Sequence, residues 1–200
     1  MKQFHLAIFS LGKVDDETLQ ASASRLARLV RHPVEIRGSL PLPQGAKDSE
    51  RGQYKAATFM ASARSMAPQL GPGKLVGAEG GSDEKPPHQT DGYMFITDVD
   101  LFTSITDGVF AALNRKAGLS VVSVRRLRES FYRRKADHNL MRTRLVKEMA
   151  RMYGRMRGAI ECADPTCVLA SSRHMADLDM KEEGYCRKCS LHIFEGTIRI

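Results

Sequence analysis

The sequence predicts an α/β sandwich in which a mixed sheet packs on helices. Three features predict it. Strand-like apolar runs alternate with helix-period segments over the N-terminal half. Two further apolar runs, Val109–Leu113 and Leu119–Val124, then follow one another directly. A long basic segment with an apolar stripe, Ala136 to Met156, completes the pattern.

Taken in order, His5–Leu11 reads as a first strand ending at Gly12. Asp15 or Asp16 can cap a helix whose Leu19, Leu26, Leu29 and Val30 share one face. Pro33–Arg37 reads as a second strand, and Pro41-Leu-Pro-Gln-Gly as its turn-rich exit. A second helix is expected from Ser49 to Met66, with Tyr54, Ala57, Met60 and Ala61 inward. Residues 67–91 carry Gly-Pro-Gly, Gly-Gly-Ser and Pro-Pro-His and read as a long loop, with one short strand near Lys74. Gly92–Phe102 begins apolar and ends at Asp98 and Asp100, as a central strand does where it leaves a sheet. The next two strands turn through Asn114–Gly118. In the basic helix Leu145, Met149, Met152 and Met156 form the stripe, the methionines as core filler.

A length of 200 residues with 42% apolar content fits one domain with a real core. It divides into a sheet-and-helix part (1–135), the basic helix (136–157) and a cysteine-rich end (158–200). No apolar run reaches membrane-spanning length, and the N-terminal apolar stretch is too short for an export signal, so a soluble, cytoplasmic protein is expected. The net charge of +8 favours acidic partners in general.

All four cysteines lie near the C-terminal end: Cys162, Cys167, Cys186 and Cys189. A C-x4-C and a C-x-x-C pair joined by an 18-residue spacer suit a closed tetrahedral zinc site. Arg187 and Lys188, inside the second pair, can offset the charge of four thiolates. Free or disulfide-linked thiols and an iron–sulfur cluster are the alternatives.

Counted back from Cys162 without a gap, the chain reads Arg151-Met-Tyr-Gly-Arg155-Met-Arg-Gly158-Ala-Ile-Glu161-Cys162, then Cys167-Val-Leu169 and Cys186-x-x-Cys189. This resembles the archaemetzincins, zinc metallopeptidases of the metzincin clan, whose pattern H-E-x-x-H-x-x-G-x-x-H precedes such cysteines. Arg51-Gly-Gln-Tyr54, Thr97-Asp-Val-Asp-Leu-Phe102 and Ser123-Val-Arg-Arg-Leu127 resemble further family segments, in order along the chain. The resemblance implies a metzincin-like sandwich built round an active-site helix, with a structural zinc on the four cysteines.

At the catalytic positions the pattern is broken. Arg151, Arg155 and Glu161 stand where the family has its zinc-binding histidines, Met152 where it has its Glu base, and Leu169 where a methionine underlies the zinc. A guanidinium has no lone pair to give a metal. At ~4 Å and an effective dielectric of ~20, a dication beside each arginine meets repulsion of about 8 kcal/mol. A thioether cannot accept a proton from water. A rival register, Lys147-Glu148-x-x-Arg151, keeps a Glu but needs four inserted residues and offers another cation as ligand. Neither His138 nor His174, the latter with Asp177 and Asp179 nearby, has a second His one turn away to rebuild a site.

The expectation is therefore a non-catalytic relative: no catalytic residue, no bound organic cofactor, one structural zinc. An acidic peptide or protein would lie in the old cleft beside Val109–Ala112, over a floor made basic by Arg151 and Arg155. Two other readings remain, a residual zinc metallopeptidase and a nucleic-acid-binding module. For the latter, Arg125–Arg157 holds 12 Lys or Arg against Glu129, Asp137 and Glu148, although a solvated helix face with local ion pairs is the stronger account.

Overall fold

The computed structural model describes residues 4–32, 34–69, 74–76 and 90–195. Its strands form two sheets. The larger has six strands: β1 (Leu6–Leu11), β2 (Val34–Leu40), β5 (Lys74–Val76), β6 (Gly92–Thr97), β8 (Ala111–Asn114) and β9 (Leu119–Ser123), in the spatial order β5-β2-β1-β6-β9-β8. The four inner strands are parallel, and the two edges, β5 and β8, run antiparallel. Every residue of β1 is buried, which is why Leu-Ala-Ile-Phe-Ser-Leu lacks polar alternation.

Side chains leave β1 alternately to two cores. Leu6 and Ile8 join Leu19, Leu26, Leu145 and Met149 under α1 (Asp16–Val30) and α3 (His138–Met156). Ala7, Phe9 and Leu11 join Phe59, Met60 and Ala63 under α2 (Ala56–Met66). The sheet is thus covered on both faces, as an α/β sandwich requires. Asp15 caps α1, its Oδ1 accepting from the Thr18 amide at 2.7 Å, and Asp137 caps α3 through the Leu140 amide at 2.9 Å.

A smaller sheet, β3 (Lys47–Asp48), β4 (Gln53–Lys55) and β7 (Leu101–Phe102), corrects two expectations. The second helix begins at Ala56, not Ser49: Tyr54 and Lys55 pair in parallel with Leu101 and Phe102, so the chain before Ala56 is extended. Tyr54 is buried as expected, but from a strand, while Ala57 and Ala61 are exposed and Ala56, Phe59 and Ala63 take the inward face. The run Gly92–Phe102 is two strands, because the chain turns at Asp98–Asp100 to enter the second sheet. The strand expected at Val109 begins at Ala111; Val109 itself makes one bridge to Leu101. Within 67–91, Lys74–Val76 is a strand, and most of the rest of that expected loop lies outside the described residues. No helix among the described residues is long and apolar enough to cross a membrane.

After α3 the chain turns at Gly158 and runs through a cysteine-bearing loop to two short helices, α4 (Met175–Met180) and α5 (Arg187–Glu195). Three side chains tie this end to the sandwich. Arg144, 2% exposed, clamps both carboxylate oxygens of Asp179 at 2.6 Å. Lys147 Nζ donates to the Leu178 and Asp179 carbonyls, and Tyr185 donates its hydroxyl to the Ala150 carbonyl at 2.6 Å.

Candidate metal centre and the neighbouring cleft

The four cysteines converge from two chain segments. Cys162 follows the Gly158 turn, its amide donating to the Leu169 carbonyl. Cys167 closes a tight loop in which Asp164 Oδ1 accepts from the Thr166 amide and hydroxyl. Cys186 immediately precedes α5 and Cys189 lies in its first turn, where the helix dipole favours thiolates. All four sulfurs lie within 4.8 Å of one another and none is in a disulfide. The Cys162 and Cys186 sulfurs are 3.8 Å apart, close to the edge of about 3.8 Å expected for a tetrahedron with metal–sulfur bonds of ~2.3 Å. The Cys186 amide also points at Cys167 Sγ, 3.4 Å away.

Among the free thiols, burial at Cys186 is outweighed by hydrogen bonds from the Cys189 amide and the neighbouring sulfurs, which pull it down. Two of the four resist ionisation: burial pushes Cys167 up to about 11 and Cys189 higher still. A divalent ion reverses that preference, because a coordinating thiol is deprotonated outright. The donor set and spacing place the four residues to hold one metal ion, consistent with a structural zinc. Arg187 and Lys188 are both exposed.

Helix α3 carries the positions that resemble the catalytic motif. It ends at Met156, and Gly158 adopts φ +101°, a left-handed turn that a side chain would strain. Leu169 packs against the turn between Arg151 and Arg155. Its Cδ2 lies 2.9 Å from where a Cβ on Gly154 would be, so glycine is needed there for contact.

Arg151 donates from Nε and Nη2 to Oε2 of Glu148, at 3.0 and 2.7 Å. Glu148 is 0% exposed, and its other oxygen accepts from Ser172 Oγ at 3.2 Å. Lys181, 3% exposed, lies within electrostatic reach of Glu148, Arg151 and Glu161 and donates to the Val168 and Ala170 carbonyls. Burial pulls its ammonium down to about 8, with Glu148 acting against that fall. A buried carboxylate, paired with the partly exposed Arg151, therefore lies behind one wall of the cleft.

The cleft itself, a hollow of about 410 Å³, lies between Thr106 to Ala111 on one wall and Arg151, Ser172, Arg173 and His174 on the other. Its first wall leads into β8, whose outer side is a sheet edge. Only part of the expected site gathers here. Met152 is buried in the core, Glu161 is exposed and faces two other hollows, and Arg155 lines none of the three. Arg151 takes Glu148 as its partner. Ser172, Arg173 and Lys181 were not anticipated from the sequence.

The fold and the thiol cluster place the chain among zinc-peptidase-like proteins. A zinc-dependent peptidase from Methanocorpusculum labreanum superposes with a TM-score of 0.78 at 25% identity, over 94% of this chain and 99% of that one. An archaemetzincin from Methanopyrus kandleri gives 0.73 at 22%, over 98% and 97%. In sequence, the archaemetzincin of Pyrococcus furiosus is 30% identical over 158 residues, 78% of this chain and 73% of its own. The model of Peptidase family M54 matches residues 44–195, and the chain belongs to that family.

Proposed function

We propose that this chain is a family M54 protein whose peptidase centre holds no catalytic metal, whose four cysteines hold one structural zinc, and whose cleft binds an acidic peptide without cutting it. The carrying observation is the engagement of Arg151. Its guanidinium, at the position of the first zinc-binding histidine, is spent on the buried Glu148. It has no lone pair for a metal, and Glu148 has one oxygen under the arginine and the other under Ser172.

Zinc on Cys162, Cys167, Cys186 and Cys189 would supply folding free energy to the segment after α3, because the site cannot exist in the unfolded chain. That accounts for four ligand cysteines surviving beside lost histidines. The cleft keeps features a peptide would use. A sheet edge runs into one wall, where an extended chain can add as a strand. Arg173, exposed on the other wall, gives it positive charge suited to a carboxylate side chain or terminus, Arg151 being neutralised by Glu148.

A peptide-hydrolysis assay with added zinc, run beside binding of a labelled acidic peptide, tests the reading. It expects binding weakened by Arg173→Gln and no hydrolysis above background. Zinc-dependent hydrolysis would overturn it.

A further inference from the structure

The twelve cations from Arg125 to Arg157 divide at the start of α3. Those on the helix are largely turned inward: Arg142 pairs with Glu17, Arg144 with Asp179 and Glu129, Arg151 with Glu148, and Lys147 caps two carbonyls. The helix is therefore no polyanion-binding face. The six before it are differently placed. Arg126 pairs with Asp100 and Arg134 with Glu129, but Arg125, Arg128, Arg133 and Lys135 make no ion pair among the described residues.

These four lie in the connector before α3, which is exposed at every residue from 131 to 139; Arg125 is exposed and Arg128 half-buried. Phe131 and Tyr132 begin the exposed run, each 37% exposed. Arg126 covers one face of Phe131 at 5.1 Å, and Arg134 lies over Tyr132 at 5.8 Å. The connector is nevertheless held in shape. Arg144 reaches from the core to the Leu127 carbonyl and Glu129, Tyr132 donates its hydroxyl to the Arg126 carbonyl, and Arg133 turns the chain at φ +60°. Both acids nearby are spent, Glu129 on two arginines and Asp137 on the cap of α3.

We propose that residues 125–135 form a binding surface for single-stranded nucleic acid, adjoining the cleft wall where Arg126 donates to the Asp107 carbonyl. Guanidinium forks match phosphate oxygens, and exposed rings among them offer stacking planes for bases. Because the connector is already ordered, little conformational freedom is lost on binding. An anionic membrane fits less well: two part-exposed rings, one with its hydroxyl held by the Arg126 carbonyl, offer little apolar area to a bilayer. One open ring face is enough to stack a base.

The test is fluorescence anisotropy of a labelled oligouridylate with the full chain across a salt series. Four phosphate contacts predict a log–log slope of roughly −3, at about 0.7 per cation. Arg133→Asn with Lys135→Gln, a pair that keeps the left-handed turn accessible, should flatten the slope by about 1.4. Tyr132→Leu should weaken binding roughly tenfold at constant slope. Lys13→Gln, an exposed cation outside the connector, should leave the oligomer bound as before. No binding at low salt would overturn the proposal, as would loss of affinity that follows total charge wherever it is removed. Connector-dependent binding to phosphatidylserine vesicles without binding to oligouridylate would overturn it in favour of a membrane.

Discussion

Arg151 lies one helical turn after Glu148 and donates to a single carboxylate oxygen through both Nε and Nη2, at 3.0 and 2.7 Å. The carboxylate is fully buried and the Arg151 side chain 19% exposed. A side chain of the same helix thus neutralises the carboxylate. Arg151→Met should therefore leave a buried charge uncompensated and cost about 3 kcal/mol. Adding Glu148→Gln should recover most of that loss. Urea denaturation of the two single variants and the double variant measures the coupling.

Lys181 gives a signature in pH. The fold holds its ammonium at about 8, against 10.5 in the unfolded chain. Between those values the unfolded chain binds the extra proton, so stability rises with pH across the window. The gain is about 3 kcal/mol at most, and below pH 8 the full cost of burying the charge is present. Lys181→Met should remove this rise. The measurement is the difference in unfolding free energy between wild type and variant at pH 7 and pH 10. An unchanged difference would show that Lys181 keeps an ordinary pKa.

Asp179 anchors the C-terminal segment through a bidentate pair with the buried Arg144. Asp179→Asn keeps the shape but removes the charge, leaving Arg144 with Glu129 alone. The expected cost is about 2 kcal/mol, read as a lowered urea midpoint.

Restoring ligands should restore a site. Arg151→His, Arg155→His and Glu161→His together place imidazoles at the spacing that suits zinc, with Gly158 already turned and Leu169 already packed beneath. The triple variant should bind one metal ion more than wild type by elemental analysis. Failure to do so would mean that the loop after Gly158 no longer brings position 161 back to the helix.

Much of this molecule was legible because its signals are local. Asp15 and the Leu19, Leu26 and Val30 period mark α1, the apolar run marks β1, and the cysteine spacing marks the metal centre. The misreadings share one cause, contacts distant in sequence. Nothing near Tyr54 announces that it pairs with Leu101, and that pairing delays α2 to Ala56. Likewise Glu148, Ser172 and Lys181 converge across a loop and a helix. A lysine in a polar stretch gives no sign that it will be 3% exposed. Nothing in the sequence around Arg173 marks it as a residue of the cleft wall.

Metal content, measured by elemental analysis of protein purified without added zinc, tests the account most directly. One zinc per chain is predicted, lost when Cys186 and Cys189 are replaced by serine and retained in Glu161→Gln. Two metal ions per chain, or one that survives replacement of the cysteines, would contradict it.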